Sequence, residues 1–407
     1  MGKSRRGRRL KSMRITARLA GILLSLLLLA GCWSSVELND RAFVRMVMVD
    51  KTDDGYELVL GMPLANRLIP GEVGGSSQSG REPFTYFSKI DSNLSDAFRK
   101  IQNDLSRKIT FGQTRVVIIG NRYAEEGIGS LLDLIAREPR VHINANLFVT
   151  HGSVDKVIQL PLTMERFPSD IFYAYGRRKI ATTINFKDIL KAHYMGGDFL
   201  ATRLVFGKMG IMNESKEEYW MGPDGAAVFK GDKMVGSLPG KNAAGALWIQ
   251  GKPETREITV PSPTDGKVVS LLVERNSTRI RPELTGDALT YNIHVKTDLD
   301  IVASYSNINL KDHKQLKEME KSVENKIKED VEHSIQLTRQ MGTDAFQLNR
   351  YLEWRYPKEW NRINKEWNEL FSKKVKIQCT SDAIIRRIGV VKKTFTGDPQ
   401  KDKEVSK

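Results

Sequence analysis

Cysteine is nearly missing from this chain: its 407 residues hold two, Cys32 and Cys379. A cysteine-built zinc site is therefore excluded, and once Cys32 is used elsewhere no disulfide can form within the chain. Histidine is also scarce. Six are scattered at positions 142, 151, 193, 294, 313 and 333, none in the His-Glu-x-x-His pattern that holds a catalytic metal. His142 and His151 could approach in a sheet, but two imidazoles still lack a third ligand. Gly-x-Ser-x-Gly is absent, and the glycines at 71, 74, 75 and 80 lack the Gly-Lys-Ser/Thr ending of a phosphate cradle. Asp50, Thr52, Asp54 and Gly55 fit the early positions of a calcium loop. Its twelfth position is Gly61, where a bidentate Glu is required, so the segment reads as a surface hairpin. No catalytic residue, metal site or cofactor is expected.

Long hydrophobic runs are lacking too. Residues 19–30 form a twelve-residue apolar stretch, too short for a bilayer core that needs about 20, and no later stretch has transmembrane length. Before it, residues 1–18 carry eight basic side chains and no acidic one. Basic start, short apolar core and small residues at the cut are the signature of a secretory signal peptide. Leu29-Ala30-Gly31-Cys32 looks like a bacterial lipobox, so cleavage before Cys32 and S-diacylglyceryl modification of its sulfur are expected. Two acyl chains hold a protein stably where one is marginal. The remaining 376 residues exceed one ordinary hydrophobic core. Loss of the leader reduces the formal charge from +15 to about +7. Lys373-Lys374, Arg386-Arg387 and Lys392-Lys393 lack a recognition motif, and export argues against a nucleic acid partner.

Periodicity organises the rest. Residues 41–50 are densely apolar, and Asp53-Asp54-Gly55 turns them into a second strand at 56–60. The Gly- and Ser-rich residues 70–80 read as an exposed loop. Leu94, Ala97, Phe98, Ile101 and Leu105 recur at helical spacing and predict a helix over 94–108. A strand at 114–119, a helix near 130–137 and a strand at 143–150 continue a mixed α/β domain. Gly231-Asp232 marks a hairpin inside a smaller module. The pattern turns strand-rich at 268–274, 291–295 and 297–304. A long helix near 310 carries Leu316, Met319, Val323, Ile327, Val331 and Ile335. These mostly four-residue steps drift around the helix instead of sustaining heptads, so packing against a sheet is expected. Cys379 takes an inward position of a strand at 375–379 and reads as a buried, inert thiol.

Several blocks, taken in order, resemble the Ger(x)C family, the C-subunit lipoproteins of spore germinant receptors. They begin with Leu29-Ala30-Gly31-Cys32-Trp33 and Glu37-Leu38-Asn39-Asp40-Arg41. Phe111-Gly112-Gln113-Thr114-Arg115-Val116-Val117-Ile118-Ile119-Gly120 follows, then Leu131-Leu132-Asp133 and Arg137-Glu138-Pro139-Arg140. The centre matches through Gly225-Ala226-Ala227-Val228-Phe229-Lys230 and Lys233-Met234-Val235-Gly236. Asp344-Ala345-Phe346, Tyr356-Pro357-Lys358-Glu359-Trp360, Trp367-Asn368-Glu369-Leu370-Phe371 and Ile385-Arg386-Arg387-Ile388-Gly389 complete the series. Ser34-Ser35 departs from the acidic residue usual after Cys-Trp.

The resemblance implies an α+β, mixed α/β fold of three domains with mixed sheets and packed helices. The expected boundaries are a signal peptide at 1–31, domains at 32–198, 199–256 and 257–396, and a charged tail at 397–407. It also implies attachment through Cys32 to the outer face of the inner spore membrane and assembly with integral-membrane A and B receptor subunits. The resulting part in nutrient-triggered germination is assembly or signalling, without catalysis. Trp354, Trp360 and Trp367 are expected to cap the third domain. Arg115 either anchors a strand end or contacts a partner. A lipid-anchored solute-binding module and a cell-wall hydrolase are the rival readings.

Overall fold

The computed structural model describes residues 37–64, 83–137, 141–160, 165–178, 181–195, 197–211, 216–251, 256–286 and 288–388. The expected leader, Cys32, the whole of the loop at 70–80 and the tail at 397–407 lie outside the described residues. The chain lays down β1 (Arg41–Phe43), β2 (Met46–Thr52), β3 (Gly55–Pro63), β4 (Phe84–Asp91), α1 (Leu94–Asp104), β5 (Lys108–Thr110) and β6 (Val116–Ile119). Next come α2 (Asn121–Glu126), α3 (Gly129–Arg137), β7 (Asn146–Thr150), α4 (Asp155–Ile158), α5 (Pro168–Arg177), β8 (Ile184–Asn185) and α6 (Phe186–Tyr194). β9 (Phe199–Ile211), β10 (Lys216–Lys230), β11 (Lys233–Leu238) and α7 (Ala244–Ile249) lead to β12 (Glu257–Pro261), β13 (Val268–Thr285) and β14 (Ala288–Ser304). The long α8 (His313–Gln340), then α9 (Leu348–Arg355), α10 (Pro357–Ile363), α11 (Trp367–Lys373) and β15 (Lys376–Arg387) follow.

Nine strands form one mixed sheet in the order β11-β10-β9-β7-β6-β2-β3-β4, with β8 paired to β7. β2, β6, β7 and β9 run parallel, with antiparallel hairpins on either side. Central parallel strands are covered on both faces, so their sequences read as continuous apolar runs. The two-residue alternation still sorts the side chains. Val47, Val49, Val117, Ile119, Leu147 and Val149 face α1, α2, α3 and α6. Met46, Met48, Val116, Ile118 and Phe148 face Val157 of α4 and Phe172 of α5.

The second sheet, β12-β13-β14-β15, is covered by α8. Its inward Leu271, Val273, Ile293, Val295, Ala383 and Ile385 share a core with Met319, Val323, Ile327, Val331 and Ile335. Asp312 caps α8 by accepting from the backbone N–H groups of Lys314 and Gln315. β15 is an edge strand, and two of its N–H groups meet side-chain carboxylates. Glu320 Oε1 accepts from Ile385 N at 2.9 Å, and Glu324 Oε1 from Ala383 N at 3.3 Å. Two carboxylates one helical turn apart thus close an edge that would otherwise recruit another strand.

Two expectations are corrected. The helix at 94–108 ends at Asp104, because residues 108–110 leave it to pair with β1 in parallel. The separate strands at 268–274, 291–295 and 297–304 belong to one long hairpin, β13–β14. The boundary at 198/199 falls inside the nine-stranded sheet, since Phe148, Val149 and Thr150 of β7 pair with Thr202, Arg203 and Leu204 of β9. The other end of the expected middle module turns the opposite way. All six residues of α7 are buried, and it packs on α8 with Trp248 Nε1 donating to Asp330 Oδ2 at 3.4 Å.

Gly245 sits at that helix crossing, where an added Cβ would overlap the backbone carbonyl of Asp330. Gly245→Ala is expected to cost about 1–3 kcal/mol by forcing α7 off α8, read by denaturation with tryptophan fluorescence beside Trp248. Glu320→Ala leaves the Ile385 N–H unpaired and is expected to cost about 1–3 kcal/mol, with faster aggregation as the second readout.

Candidate functional site

Of the residues singled out from sequence, Cys32 lies outside the described residues. Cys379 is on β15, 5 % exposed, and burial pushes its thiol up to about 12, so it is neither nucleophile nor ligand. Asp50 is also buried at the end of β2. Its carboxylate accepts from Lys51 N at 2.8 Å and Val154 N at 3.0 Å, pinning the loop after β7 to the parallel strands. His151 Nδ1 lies 2.8 Å from an Arg203 guanidinium nitrogen. Among the described residues, no three His, Cys, Asp or Glu side chains gather where a metal could sit.

Arg115 stands at the entry to β6, beside Arg45 at the entry to β2; Arg115 N donates to Arg45 O at 3.3 Å. Arg115 Nη1 donates to Tyr173 Oη at 2.9 Å, and its guanidinium lies 5.0 Å from that ring centre. Arg45 Nη2 pairs with Asp170 Oδ1 at 2.7 Å and its guanidinium lies 4.2 Å from the Phe167 ring centre. Burial raises the Asp170 carboxyl against the pull of Arg45. Sequence reading flagged Arg115 alone. Arg45, Asp170 and Tyr173 carry no local signal, because strand pairing and the docking of α5 bring them together.

The second cluster joins the two sheets. Asp198 precedes β9, and Asp344 precedes α9; each is 2 % exposed. Asp198 Oδ1 accepts from Gly231 N in the β10–β11 turn at 3.0 Å, and Oδ2 accepts from Asp344 N at 3.0 Å. Asp344 Oδ1 accepts from Leu348 N at 3.0 Å. Its Oδ2 accepts from Asn349 N at 2.8 Å and Trp367 Nε1 at 2.9 Å. Trp367 stacks with Phe371 at 5.8 Å and meets Trp360 edge-on at 5.6 Å. Trp360 and Trp367 are thus buried caps of the C-terminal core, whereas Trp354 is 67 % exposed beside Tyr351. The blocks around Asp344, Trp360 and Trp367, distant in sequence, meet here. Both aspartates are buried with their oxygens matched to N–H groups, so the pair ties the two sheets together.

Burial raises both carboxyls, and Asp344 stands at about 7 against an ordinary value of 3.8 despite three N–H donors pulling it down. Between about pH 4 and pH 7 the folded chain therefore binds a proton there that the unfolded chain has released. Its stabilisation is complete below about pH 4 and is lost as pH rises through about 7. Wild-type stability is expected to fall between about pH 4 and pH 7, with a smaller fall in Asp344→Asn. An asparagine offers one acceptor oxygen, so that variant also leaves an N–H donor facing its amide, at a cost of about 1–3 kcal/mol. Urea unfolding across this pH range separates the two effects.

Comparison with known proteins bears on both halves of the chain. Residues 34–205 match the family model described as spore germination protein N-terminal domain, and residues 224–389 match spore germination B3/GerAC like, C-terminal. Spore germination protein KC of Bacillus subtilis (strain 168) is 26 % identical over 392 residues, covering 91 % of this chain and 95 % of that protein. Spore germination protein B3 of the same organism is 21 % identical over 377 residues, covering 88 % and 95 %. The crystal structure of the GerBC protein superposes with a TM-score of 0.53 at 18 % identity, covering 84 % of this chain and 98 % of that one. With both family models matched in order and relatives aligned almost end to end, the chain belongs to the GerAC-like family of spore germination proteins.

Proposed function

We propose that this protein is the lipid-anchored C subunit of a nutrient germinant receptor. It acts in spore germination by assembly or signalling with integral-membrane A and B subunits, and carries no catalytic step of its own. The observation that carries this reading is the near end-to-end match to spore germination proteins, with the first family model starting at residue 34, two positions after Cys32. Everything before it is a basic, apolar leader ending in Leu29-Ala30-Gly31-Cys32.

Physical features support the same reading. No described helix is long and apolar enough to cross a membrane. The longest one, α8, spends its apolar stripe on the second sheet. In this reading a diacylglyceryl group on Cys32 holds the protein at the outer face of the inner spore membrane. A body whose two sheets are locked together by Asp198 and Asp344 suits a subunit that holds partners in register.

Cys32→Ala is expected to leave the folded body intact and move it from the detergent phase to the aqueous phase on Triton X-114 partitioning. Mass measurement of the wild-type N-terminus should give a diacylglyceryl cysteine at position 32. Affinity purification from spore membranes should bring down two integral-membrane receptor subunits. Their absence under conditions that keep such receptors whole would remove the reading.

A further inference from the structure

The cleft where β2 and β6 begin contains more cationic character than the fold requires. It has a volume of about 320 Å³ and is lined by Arg45, Gly112, Gln113, Arg115, Ser169, Asp170 and Tyr173. Two guanidinium groups face one carboxylate, so among the described residues the lining carries a net charge of +1. Glu165 is within electrostatic reach of Asp170 but does not line the cleft. A guanidinium has five N–H donors. The side-chain bonds to Asp170 and Tyr173 engage Nη2 of Arg45 and Nη1 of Arg115.

Two further observations point to a ligand at this cleft. Helix α5 spans ten residues and begins at this cleft with Pro168 in its first turn, and no side chain caps it. The positive end of its dipole therefore adjoins Ser169. Ser169 itself is 5 % exposed, and its hydroxyl, shielded from solvent, has no hydrogen-bond partner among the described residues. A buried hydroxyl left unmatched at an uncapped helix start costs free energy unless something fills the place.

We propose that this cleft binds a phosphate group carrying a single negative charge. The lining supplies donors from two guanidinium groups, a hydroxyl, the Gln113 amide and the helix start, more than the two oxygens of a carboxylate can use. A phosphodiester offers two anionic oxygens on a tetrahedral centre, with two ester oxygens beside them, and can span donors that a planar carboxylate cannot reach together. Asp170 sets the charge preference. It repels a dianion and leaves a net +1 that a phosphodiester neutralises. The natural source is then either a lipid headgroup or a soluble phosphodiester, which share this chemistry. The site goes beyond the receptor role and does not depend on Cys32 being acylated.

The test uses the full-length protein in dodecyl maltoside micelles, which contain no phosphate, titrated with dimethyl phosphate by calorimetry. Saturable one-to-one binding is expected, weakening as potassium chloride is added. Arg115→Gln is expected to reduce affinity at least about tenfold, and Ser169→Ala by a smaller factor. If Arg115→Gln does not fold, Ser169→Ala and Gln113→Ala carry the comparison, with thermal melting as the control. Phosphatidylglycerol added to the micelles should compete if the source is a headgroup; competition by glycerophosphoglycerol alone assigns a soluble ligand. No saturable heat with dimethyl phosphate, or binding unchanged in every folded variant, overturns the proposal.

Discussion

Two carboxylates that water cannot reach hold this molecule together. Asp198 ties the turn between β10 and β11 to the backbone of Asp344, and Asp344 gathers the start of α9 and the indole of Trp367. Each oxygen is matched to an N–H, which is the condition for keeping a carboxyl in a low-dielectric interior. Because the four donors outside the pair come from three separate elements, neither part of the chain completes this cluster alone.

The same coupling is built into the strands. In Gly225-Ala226-Ala227-Val228-Phe229, Ala227 and Phe229 pack with the first sheet's helices, while Ala226 and Val228 join the core of the second sheet. Phe199 and Leu200 divide in the same way. β9 and β10 therefore serve as a wall with a hydrophobic core on each side, and removing either core would expose one of its faces. The α7–α8 crossing adds a second bond between the middle of the chain and its end. A family domain border placed between residues 205 and 224 coincides with the hairpin of this shared wall, not with a loose linker.

Charged side chains do structural work in three further places, each by meeting backbone donors. Glu320 and Glu324 close the β15 edge, Asp50 fixes the loop after β7, and Asp312 caps α8. Arg45 and Arg115 differ from these. They hold their partners with part of their hydrogen-bonding capacity beside an open cleft, which is the arrangement of a site prepared for an anion.

Sequence alone determined the features that act through nearest neighbours along the chain: the β2–β3 and β10–β11 hairpins, the apolar stripe of α8 and the inward Cys379. Turn chemistry and side-chain period are local, so they are legible without a fold. The ordered blocks identified the family for the same reason, since each is a short contiguous pattern. Tertiary structure decided the rest. The continuation of the first sheet past residue 198 depends on β7 accepting β9 as a parallel neighbour, and the end of α1 depends on β1 claiming residues 108–110. Asp198 with Asp344, and Arg45 with Asp170, are pairs separated by more than a hundred residues, and no spacing rule connects them. Their meaning comes from burial and from which backbone groups arrive beside them, quantities that exist only once the chain has closed on itself.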